Sequence, residues 1–184
     1  NTYGGPITEE VMLKMPNCKI ISRYGIGVDT IDLKAATKAG IIVTNNPTYC
    51  IEEVAEHTIA MLLSSARKIS FYDRTVRNGK WAVPPGKPIY RIAGSTLGLI
   101  GYGNIARRVA TAAKGLEMKV IYSDPFVEEG QFETPGKKVE MSELLANSDF
   151  ICIHAPLIDQ TRYMINENAF SQMKNSAIVI NCSR

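Results

Sequence analysis

The residues best suited to chemistry lie in one short segment, where an apolar run ends in glycines and a helix-like pattern follows. Leu97–Ile100 leads into Gly101–Ala106, whose sequence G-Y-G-N-I-A has the pattern G-x-G-x-x-A. Gly101 permits a tight turn, Gly103 lets the backbone approach a pyrophosphate with no Cβ in the way, and Ala106 keeps the helix close to the strand. The pattern therefore predicts a phosphate-binding turn between a strand and a helix.

The residues that follow this turn complete a pattern typical of dinucleotide sites. A helix-like segment opens at Asn104 and Ile105, where free N–H groups and a partial positive charge would attract phosphates. A second apolar strand, 118–123, ends in Asp124, about 20 residues on, where a carboxylate would accept both hydroxyls of an adenosine ribose. The set predicts dinucleotide binding. The alternative, a glycine-rich turn of another α/β protein, would not require an acid at that strand end.

Composition bounds the remaining classes of function. The chain has 184 residues, 45% of them hydrophobic and 21% charged, with a net charge of +3. Lys and Arg are scattered, so no nucleic-acid partner is expected. The longest apolar-rich stretch, 59–66, is too short to span a bilayer, and no membrane partner is expected. The cysteines and histidines are far apart, which favours free thiols in a cytoplasmic protein over disulfides and predicts no metal site.

Apolar runs and amphipathic segments alternate along the whole chain and predict an α/β fold. Residues 1–48 hold helices near 8–16 and 32–39 and strands near 19–23 and 41–44. A long apolar helix over 51–68 is expected to be buried on several sides. The segment 78–93, rich in Pro and Gly, is the best linker candidate.

From Thr96 onward the pattern predicts one doubly wound, Rossmann-type parallel sheet. The predicted strands are 96–100, 118–123, 150–154 and 177–181, and the predicted helices are 104–114, 141–146 and 167–173. The polar segment 127–138 is expected to be a surface loop with at most a short strand. The first portion has few strands and the second stops just after one, so we expect the chain to be incomplete.

Taken in order, these motifs resemble the D-isomer-specific 2-hydroxyacid dehydrogenases. The resemblance covers nearly the whole chain and rests on R-Y-G-I-G-V-D-T-I-D (23–32), N-N-P (45–47), E-E-V-A-E-H (52–57), N-G-K-W (78–81), T-L-G-L-I-G-Y-G-N-I-A (96–106), D-P (124–125), H-A-P-L-I-D-Q-T-R (154–162) and V-I-N-C-S-R (179–184). It implies a flavodoxin-like substrate domain, here partial and covering 1–48. It also implies an NAD-binding Rossmann domain, 49–184, which includes the helix that crosses between domains and is truncated at its C-terminus.

The resemblance also implies where the substrate, a small 2-hydroxy or 2-keto acid, would bind. Its carboxylate would meet backbone N–H groups of Ile26 and Gly27 in a glycine-containing loop. An ordinary strand-to-helix turn is the alternative for this loop. Arg184 stands at the position of the family's catalytic arginine, where a guanidinium would hold the carboxylate and polarise the carbonyl. The family's catalytic Glu and His are expected beyond Arg184.

Further cofactor contacts follow from the same resemblance. Backbone carbonyls of Asn181 and Cys182 would meet the nicotinamide carboxamide. A wall beside the cofactor is expected from His154, Ala155, Pro156 and Thr161.

Several other residues allow two interpretations. His57 is interpreted as a packed, hydrogen-bonded helix residue rather than a proton donor, and Asp29 and Asp32 as helix caps rather than an acid/base or metal pair. Arg23 suits either a second anionic group of the substrate or a solvated strand end. Trp81 suits either a dimer contact or a buried intrachain position.

These observations predict an NAD-dependent oxidoreductase that transfers a hydride between nicotinamide and a small D-2-hydroxy or 2-keto acid, as a cytoplasmic homodimer. The alternative is an NAD(H)-sensing, dimeric binding module of the C-terminal-binding-protein corepressor type. E-E-V-A-E-H at 52–57 resembles the E-E-T-A-D-type helix start of those proteins. Nothing in the sequence specifies which 2-hydroxy acid is used.

Overall fold

The computed structural model describes residues 5–81 and 89–183. The chain divides into two compact units, Asn1–Cys50 and Ile51–Arg184. This division lies close to the predicted boundary between residues 48 and 49. The roles assigned to the two domains remain predictions.

The first unit is a small α/β layer with a two-stranded parallel sheet. Its elements are α1 (Glu9–Leu13), β1 (Ile20–Ser22), α2 (Leu33–Lys38) and β2 (Ile42–Thr44). Ile20 lies opposite Ile42 in the sheet. The Asp32 carboxylate accepts the Ala35 N–H at 2.9 Å, so this acid caps α2 as predicted. The core of the unit is formed by Met12, Ile21, Ile31, Ala35, Ala36 and Ile41.

The second unit holds the larger sheet and the remaining helices. Its strands are β3 (Thr96–Ile100), β4 (Lys119–Ser123), β5 (Lys137–Lys138), β6 (Phe150–Ile153) and β7 (Ile178–Asn181). Its helices are α3 (Ile51–Ala66), α4 (Ile69–Arg77), α5 (Asn104–Gly115), α6 (Met141–Asn147) and α7 (Glu167–Ser171). The predicted strands and helices from Thr96 onward are confirmed, and the loop 127–138 carries only the short strand β5.

The sheet of the second unit is parallel and has the strand order β5-β4-β3-β6-β7. The chain runs outward from β3 to β5 and then returns to place β6 on the other side of β3. The direction of winding therefore reverses between β3 and β6. In open α/β sheets, ligands bind at the carboxyl edge beside such a switch point.

Both faces of this sheet are covered, which confirms the Rossmann-type doubly wound fold. Because the side chains of a strand alternate, Leu97 and Leu99 pack on one face and Ile100 on the other. The first face packs against residues of α3 and α5, including Leu62, Ala106, Val109 and Ala113. The second packs against residues of α6 and α7, including Leu144, Leu145 and Ala169. Burial on both faces explains why the central strands are nearly continuously apolar.

The long helix predicted over about 51–68 is confirmed as α3, Ile51–Ala66, but its predicted burial was wrong. Lys68 takes a left-handed φ of 57°, and a separate helix, α4, follows. None of the residues of α4 is buried. The apolar residues of α3 were expected to be buried on several sides. Only one stripe is buried, formed by Ile51, Ala55, Thr58, Leu62 and Ala66, which is the stripe that faces α5 and β7.

Within residues 5–81 and 89–183, no helix has the length and apolar character needed to cross a membrane.

Candidate functional site

The glycine turn between β3 and α5 lies at the carboxyl edge of the sheet, at the switch point. Gly101 takes a φ of +85°, a left-handed conformation that favours glycine, and its N–H donates to the Ser123 carbonyl at 2.9 Å. A Cβ on Gly101 would lie 3.0 Å from the Ala155 nitrogen and 3.1 Å from the His154 carbonyl carbon. Glycine is therefore required here by conformation and by the close approach of the segment after β6.

Gly103 shows the opposite situation. It is the N-cap of α5 with a φ of −73°, which any residue can adopt, and a Cβ built there meets no atom within 4 Å. The fold itself does not require glycine at this position. The N–H groups of Asn104 and Ile105, in the first turn of α5, have no acceptor within the helix. Open space beside unsatisfied donors fits a diphosphate that lies against the backbone.

Asp124 follows β4, and its carboxylate is held in place by two backbone N–H groups. Oδ2 accepts the Tyr102 N–H at 2.7 Å, and Oδ1 accepts the Phe126 N–H at 2.8 Å. Each carboxylate oxygen can accept more than one hydrogen bond, so both keep capacity for a ribose hydroxyl. The acid is thus oriented directly by the turn that would hold the phosphates.

Tyr102 is a residue of this site whose role the sequence did not reveal. It occupies a variable position of the glycine motif, yet only 2% of it is exposed. Its ring stacks on Tyr122 with centroids 3.8 Å apart, and its hydroxyl donates to the Pro135 carbonyl at 2.6 Å. A Cβ on Gly136 would lie 2.9 Å from that hydroxyl. The loop after β4 therefore closes over the tyrosine pair and anchors the turn.

A second contact ties this loop to the start of α5. Arg107 donates through Nη2 to Oδ1 of Asn104, and its guanidinium lies 3.6 Å from the ring centroid of Phe132. Because Oδ1 is engaged, the Asn104 amide presents its Nδ2 donors to other acceptors. This orientation is suited to a phosphate oxygen at the helix N-terminus.

The predicted cofactor wall lines a pocket beside β6 and β7. The pocket has a volume of about 180 Å³. Its lining includes Ala155, Pro156, Leu157, Thr161, Tyr163 and Asn181. The Thr161 hydroxyl donates to the Pro156 carbonyl and accepts the Ile158 N–H at 3.0 Å. Thr161 therefore shapes the loop after β6, and the structure brings it together with Ala155, Pro156 and Asn181.

His154 begins this wall and is partly buried. Its backbone N–H donates to the Ile100 carbonyl at 2.8 Å, beside the glycine turn. Its Nε2 is buried and has no hydrogen-bond partner among the described residues. Burial lowers the pKa of the His154 imidazole to about 4, so the ring is neutral at physiological pH. A neutral, enclosed imidazole suits a wall residue better than a proton donor.

The end of the chain carries the residues predicted to meet the nicotinamide. The Asn181 side chain accepts the Ser183 N–H at 2.8 Å, and the Cys182 sulfur lies 3.9 Å from the Met61 sulfur. Arg184, the predicted catalytic residue, lies outside the described residues. Its role therefore remains a prediction.

The predicted substrate loop lies in the first unit, between β1 and α2. Gly25 takes a φ of +133°, and Ile26 is 38% exposed. Gly27 follows, and its carbonyl accepts Nε of Arg23 at 3.1 Å. Arg23 is thus bonded to its own loop and is not a solvated strand end.

Two further interpretations are corrected. His57 was expected to be packed, but it is exposed on α3, because it falls between the positions of the buried stripe. Trp81 is 91% exposed, so the buried intrachain position considered for it is wrong. The rest of the linker candidate, residues 82–88, lies outside the described residues.

Comparison with known proteins decides the family. Residues 59–184 match the family model of the D-isomer specific 2-hydroxyacid dehydrogenase, NAD binding domain. The chain belongs to this family. The resemblance drawn from the motifs is confirmed, and so is NAD as the cofactor type of this domain. The glycine turn, the open space at Gly103 and the anchored Asp124 fit that cofactor.

Individual relatives support the same assignment. The chain is 40% identical over 183 residues to a glyoxylate reductase of Korarchaeum cryptofilum, covering 97% of this chain and 55% of that one. It is 42% identical over 179 residues to a D-3-phosphoglycerate dehydrogenase of Archaeoglobus fulgidus, covering 97% and 34%. A crystal structure of D-lactate dehydrogenase from Aquifex aeolicus with NAD and lactic acid matches with a TM-score of 0.90 at 36% identity, covering 100% and 55%. The chain thus spans about half, or less, of these relatives.

Proposed function

We propose that the protein is an NAD(H)-dependent oxidoreductase that interconverts a small D-2-hydroxy acid and its 2-keto acid. The observation that carries the proposal is the Asp124 carboxylate, which the Tyr102 N–H holds at 2.7 Å beside the open glycine turn. A carboxylate so placed binds a ribose diol and repels a 2′-phosphate. The family and the names of the relatives support the reaction class.

The chain's own residues would bind and orient the substrate. When bound, NAD(H) supplies or accepts the hydride. The N–H groups of Ile26 and Gly27 would hold the substrate carboxylate, and the Arg184 guanidinium would contact the carboxylate and polarise the carbonyl. Backbone carbonyls of Asn181 and Cys182 would fix the position of the carboxamide. Neither His154, which is partly buried and neutral at physiological pH, nor the exposed His57 is assigned the proton transfer.

The corepressor-type alternative is not favoured, because the relatives described above carry the names of a reductase and two dehydrogenases. Those names include a glyoxylate and a phosphoglycerate enzyme, so the substrate is proposed only as a class.

The proposal is tested on the natural full-length protein. We expect NADH-dependent reduction of at least one of glyoxylate, hydroxypyruvate and phosphorylated hydroxypyruvate, measured by loss of NADH absorbance. Failure to reduce any small 2-keto acid, with NADH binding intact, would contradict the proposed activity and reopen the sensing alternative.

Arg184→Lys tests the predicted catalytic arginine in the same assay. Lysine keeps the charge but loses the planar fork, so kcat/KM should fall roughly 30- to 1000-fold, or about 2–4 kcal/mol. NADH affinity should hardly change, because this arginine addresses the substrate. A loss of NADH binding alone would move Arg184 to the cofactor site, and near-normal kcat/KM would remove it from the catalytic set.

We also propose a homodimer in the cytoplasm. The support for the dimer is apolar surface left open in the second unit: Trp81 is 91% exposed, and Ile69 and Val76 of α4 are 54% and 50% exposed. Trp81→Ser should weaken the dimer, which sedimentation or light scattering over a concentration series would show. A wild-type protein that is monomeric at every concentration would exclude it.

A further inference from the structure

The loop Tyr24–Val28 has an unusual hydrogen-bond pattern, in which every carbonyl oxygen is engaged. Arg23 donates to the Tyr24 carbonyl at 2.5 Å through Nη1 and to the Gly27 carbonyl at 3.1 Å through Nε. The Ile31 N–H donates to the Val28 carbonyl at 2.9 Å. The two central carbonyls are held by the N-N-P segment, 45–47, which follows β2 and comes back against the loop.

The contacts from that segment are specific. The Asn46 backbone N–H donates to the Gly25 carbonyl at 3.1 Å, and Nδ2 of Asn45 donates to the Ile26 carbonyl at 2.8 Å. The N–H groups of Ile26 and Gly27 have no acceptor among the described residues. The N–H groups of Ile26 and Gly27 are therefore available to a ligand, whereas the carbonyl oxygens of the loop already accept hydrogen bonds.

The geometry of the peptide bond links these two facts. In a trans peptide the C=O and the following N–H point in opposite directions, and the described residues contain no cis bond. Fixing the Gly25 carbonyl therefore directs the Ile26 N–H away from Asn46. Fixing the Ile26 carbonyl directs the Gly27 N–H away from Asn45. Each donor proposed for the substrate is oriented by a bond to the carbonyl behind it.

We infer that Asn45 and Arg23 are positioning residues, which hold the peptide planes of Tyr24–Val28 so that Ile26 and Gly27 present their N–H groups to the substrate carboxylate. Successive N–H groups held on one side form a concavity suited to an anion. This inference rests on the proposed function. It assigns to the N-N-P motif, and to Arg23, a role that neither the motif nor the family assignment supplies.

Arg23 bonds two carbonyls of the loop, whereas the Asn45 side chain bonds one. Its guanidinium lies 3.6 Å from the position of a Cβ on Gly25, so it packs under the loop that it bonds. One planar fork bonds carbonyls on both sides of the central peptides, which a lysine ammonium cannot reproduce.

Asn45 offers the sharper test, and Thr48, in the same segment, provides the control. Both residues are exposed, so a substitution at either should leave the fold intact. The Thr48 hydroxyl donates to Oδ1 of Asn46 and makes no hydrogen bond to Tyr24–Val28 among the described residues. Asn45→Leu therefore removes one support of the loop, whereas Thr48→Val removes a side-chain hydrogen bond of the same segment and leaves the bonds from Asn45 and Asn46 to the loop in place.

The experiment measures three constants in the full-length protein: KM for the 2-keto acid that the wild type reduces best, KM for NADH, and the inhibition constant of oxamate, a non-reacting carboxylate analogue. For Asn45→Leu we expect KM for the keto acid and the oxamate constant to rise about tenfold, with KM for NADH within twofold of wild type. Thr48→Val should match wild type in all three. Unchanged constants for Asn45→Leu, or an equal rise for Thr48→Val, would overturn the inference while the proposed function stands. A wild type that reduces no small 2-keto acid would instead overturn the proposed function.

Arg23→Gln distinguishes a positioning role of Arg23 in the loop from a direct contact with a second anionic group of the substrate. A positioning residue affects every substrate, so the loss in kcat/KM should be similar for hydroxypyruvate and for its phosphorylated form. A loss confined to the phosphorylated substrate would overturn the positioning role of Arg23 and assign it a direct contact with the phosphate.

Discussion

The glycine turn Gly101–Asn104 and the glycine loop Tyr24–Val28 both present backbone N–H groups, but they do so by different means. In the turn, the donors belong to the first residues of α5 and are unsatisfied because a helix begins there. In the loop there is no helix start. Its donors are exposed because Asn45, Asn46 and Arg23 engage the carbonyls. The turn is a product of secondary structure, whereas the loop is a product of tertiary hydrogen bonds.

This difference predicts different weaknesses. The turn needs empty space, since nothing lies within 4 Å of a Cβ at Gly103. It should fail when an atom is added. The loop needs its supports, so it should fail when one is removed, as Asn45→Leu is designed to test.

Gly103→Ala should damage binding without damaging the fold. Its φ of −73° suits alanine and its Cβ meets nothing in the chain, but a methyl group there would occupy the path proposed for the diphosphate. We expect NADH affinity to fall about 100-fold, or about 3 kcal/mol, with little change in thermal stability. Fluorescence titration and thermal unfolding measure the two.

Gly98→Ala is the matched control for that variant. Its Cβ would lie 2.2 Å from Ser148 Oγ and 2.8 Å from Leu144 Cδ2, in the packing between β3 and α6. It should lower stability by about 1–3 kcal/mol through overpacking. If Gly103→Ala is as destabilising as Gly98→Ala, or keeps NADH affinity, the glycine is structural and the proposed path is wrong.

Asp124 should set the choice of cofactor. Its carboxylate, held by the Tyr102 and Phe126 N–H groups, would repel a 2′-phosphate, and the adjacent Pro125 and Phe126 carry no compensating charge. NADH should be preferred over NADPH by about 5- to 150-fold, or 1–3 kcal/mol. Asp124→Ala should narrow that gap. Equal or tighter binding of NADPH by the wild type would refute the prediction.

The second unit should be more sensitive to mild acid than the first, because both histidines of the chain lie in it. Burial lowers the pKa of His154 to about 4, below the unfolded value of 6.5. The folded state therefore binds this proton less readily, and its stability is lost as the pH falls from 6.5 towards 4. Between pH 8 and pH 5.5 the loss should be about 1.4 kcal/mol.

Urea unfolding of wild type and His154→Gln at the two pH values measures this dependence. The variant should lose less stability on acidification than the wild type. His57→Gln, which removes the other histidine from an exposed position on α3, is the control. If the free energy of unfolding of His154→Gln falls as much between the two pH values as that of the wild type, His154 is not a source of the acid sensitivity.

Much of the second unit was predictable, because its signals are local. The strand 96–100, the glycines and the helix are contiguous, and Asp124 follows at the end of the next strand. Burial on both faces makes β3 and β6 apolar throughout, so these strands can be predicted from the sequence before their neighbours in the sheet are known. Helix α4 was not predicted, although its residues have a strong amphipathic periodicity; none of them is buried.

The family resemblance, the glycine turn and the acid at the strand end could be predicted, because they depend on residue type and on spacing along the chain. The sequence did not reveal that Tyr102 stacks on Tyr122 beneath the loop after β4, or that Asn45 holds the carbonyl of Ile26. Each of these contacts joins residues about 20 positions apart through the folding of separate elements. No periodicity or short motif encodes such a contact, because its distance and direction exist only once the strands have paired and the loops have closed.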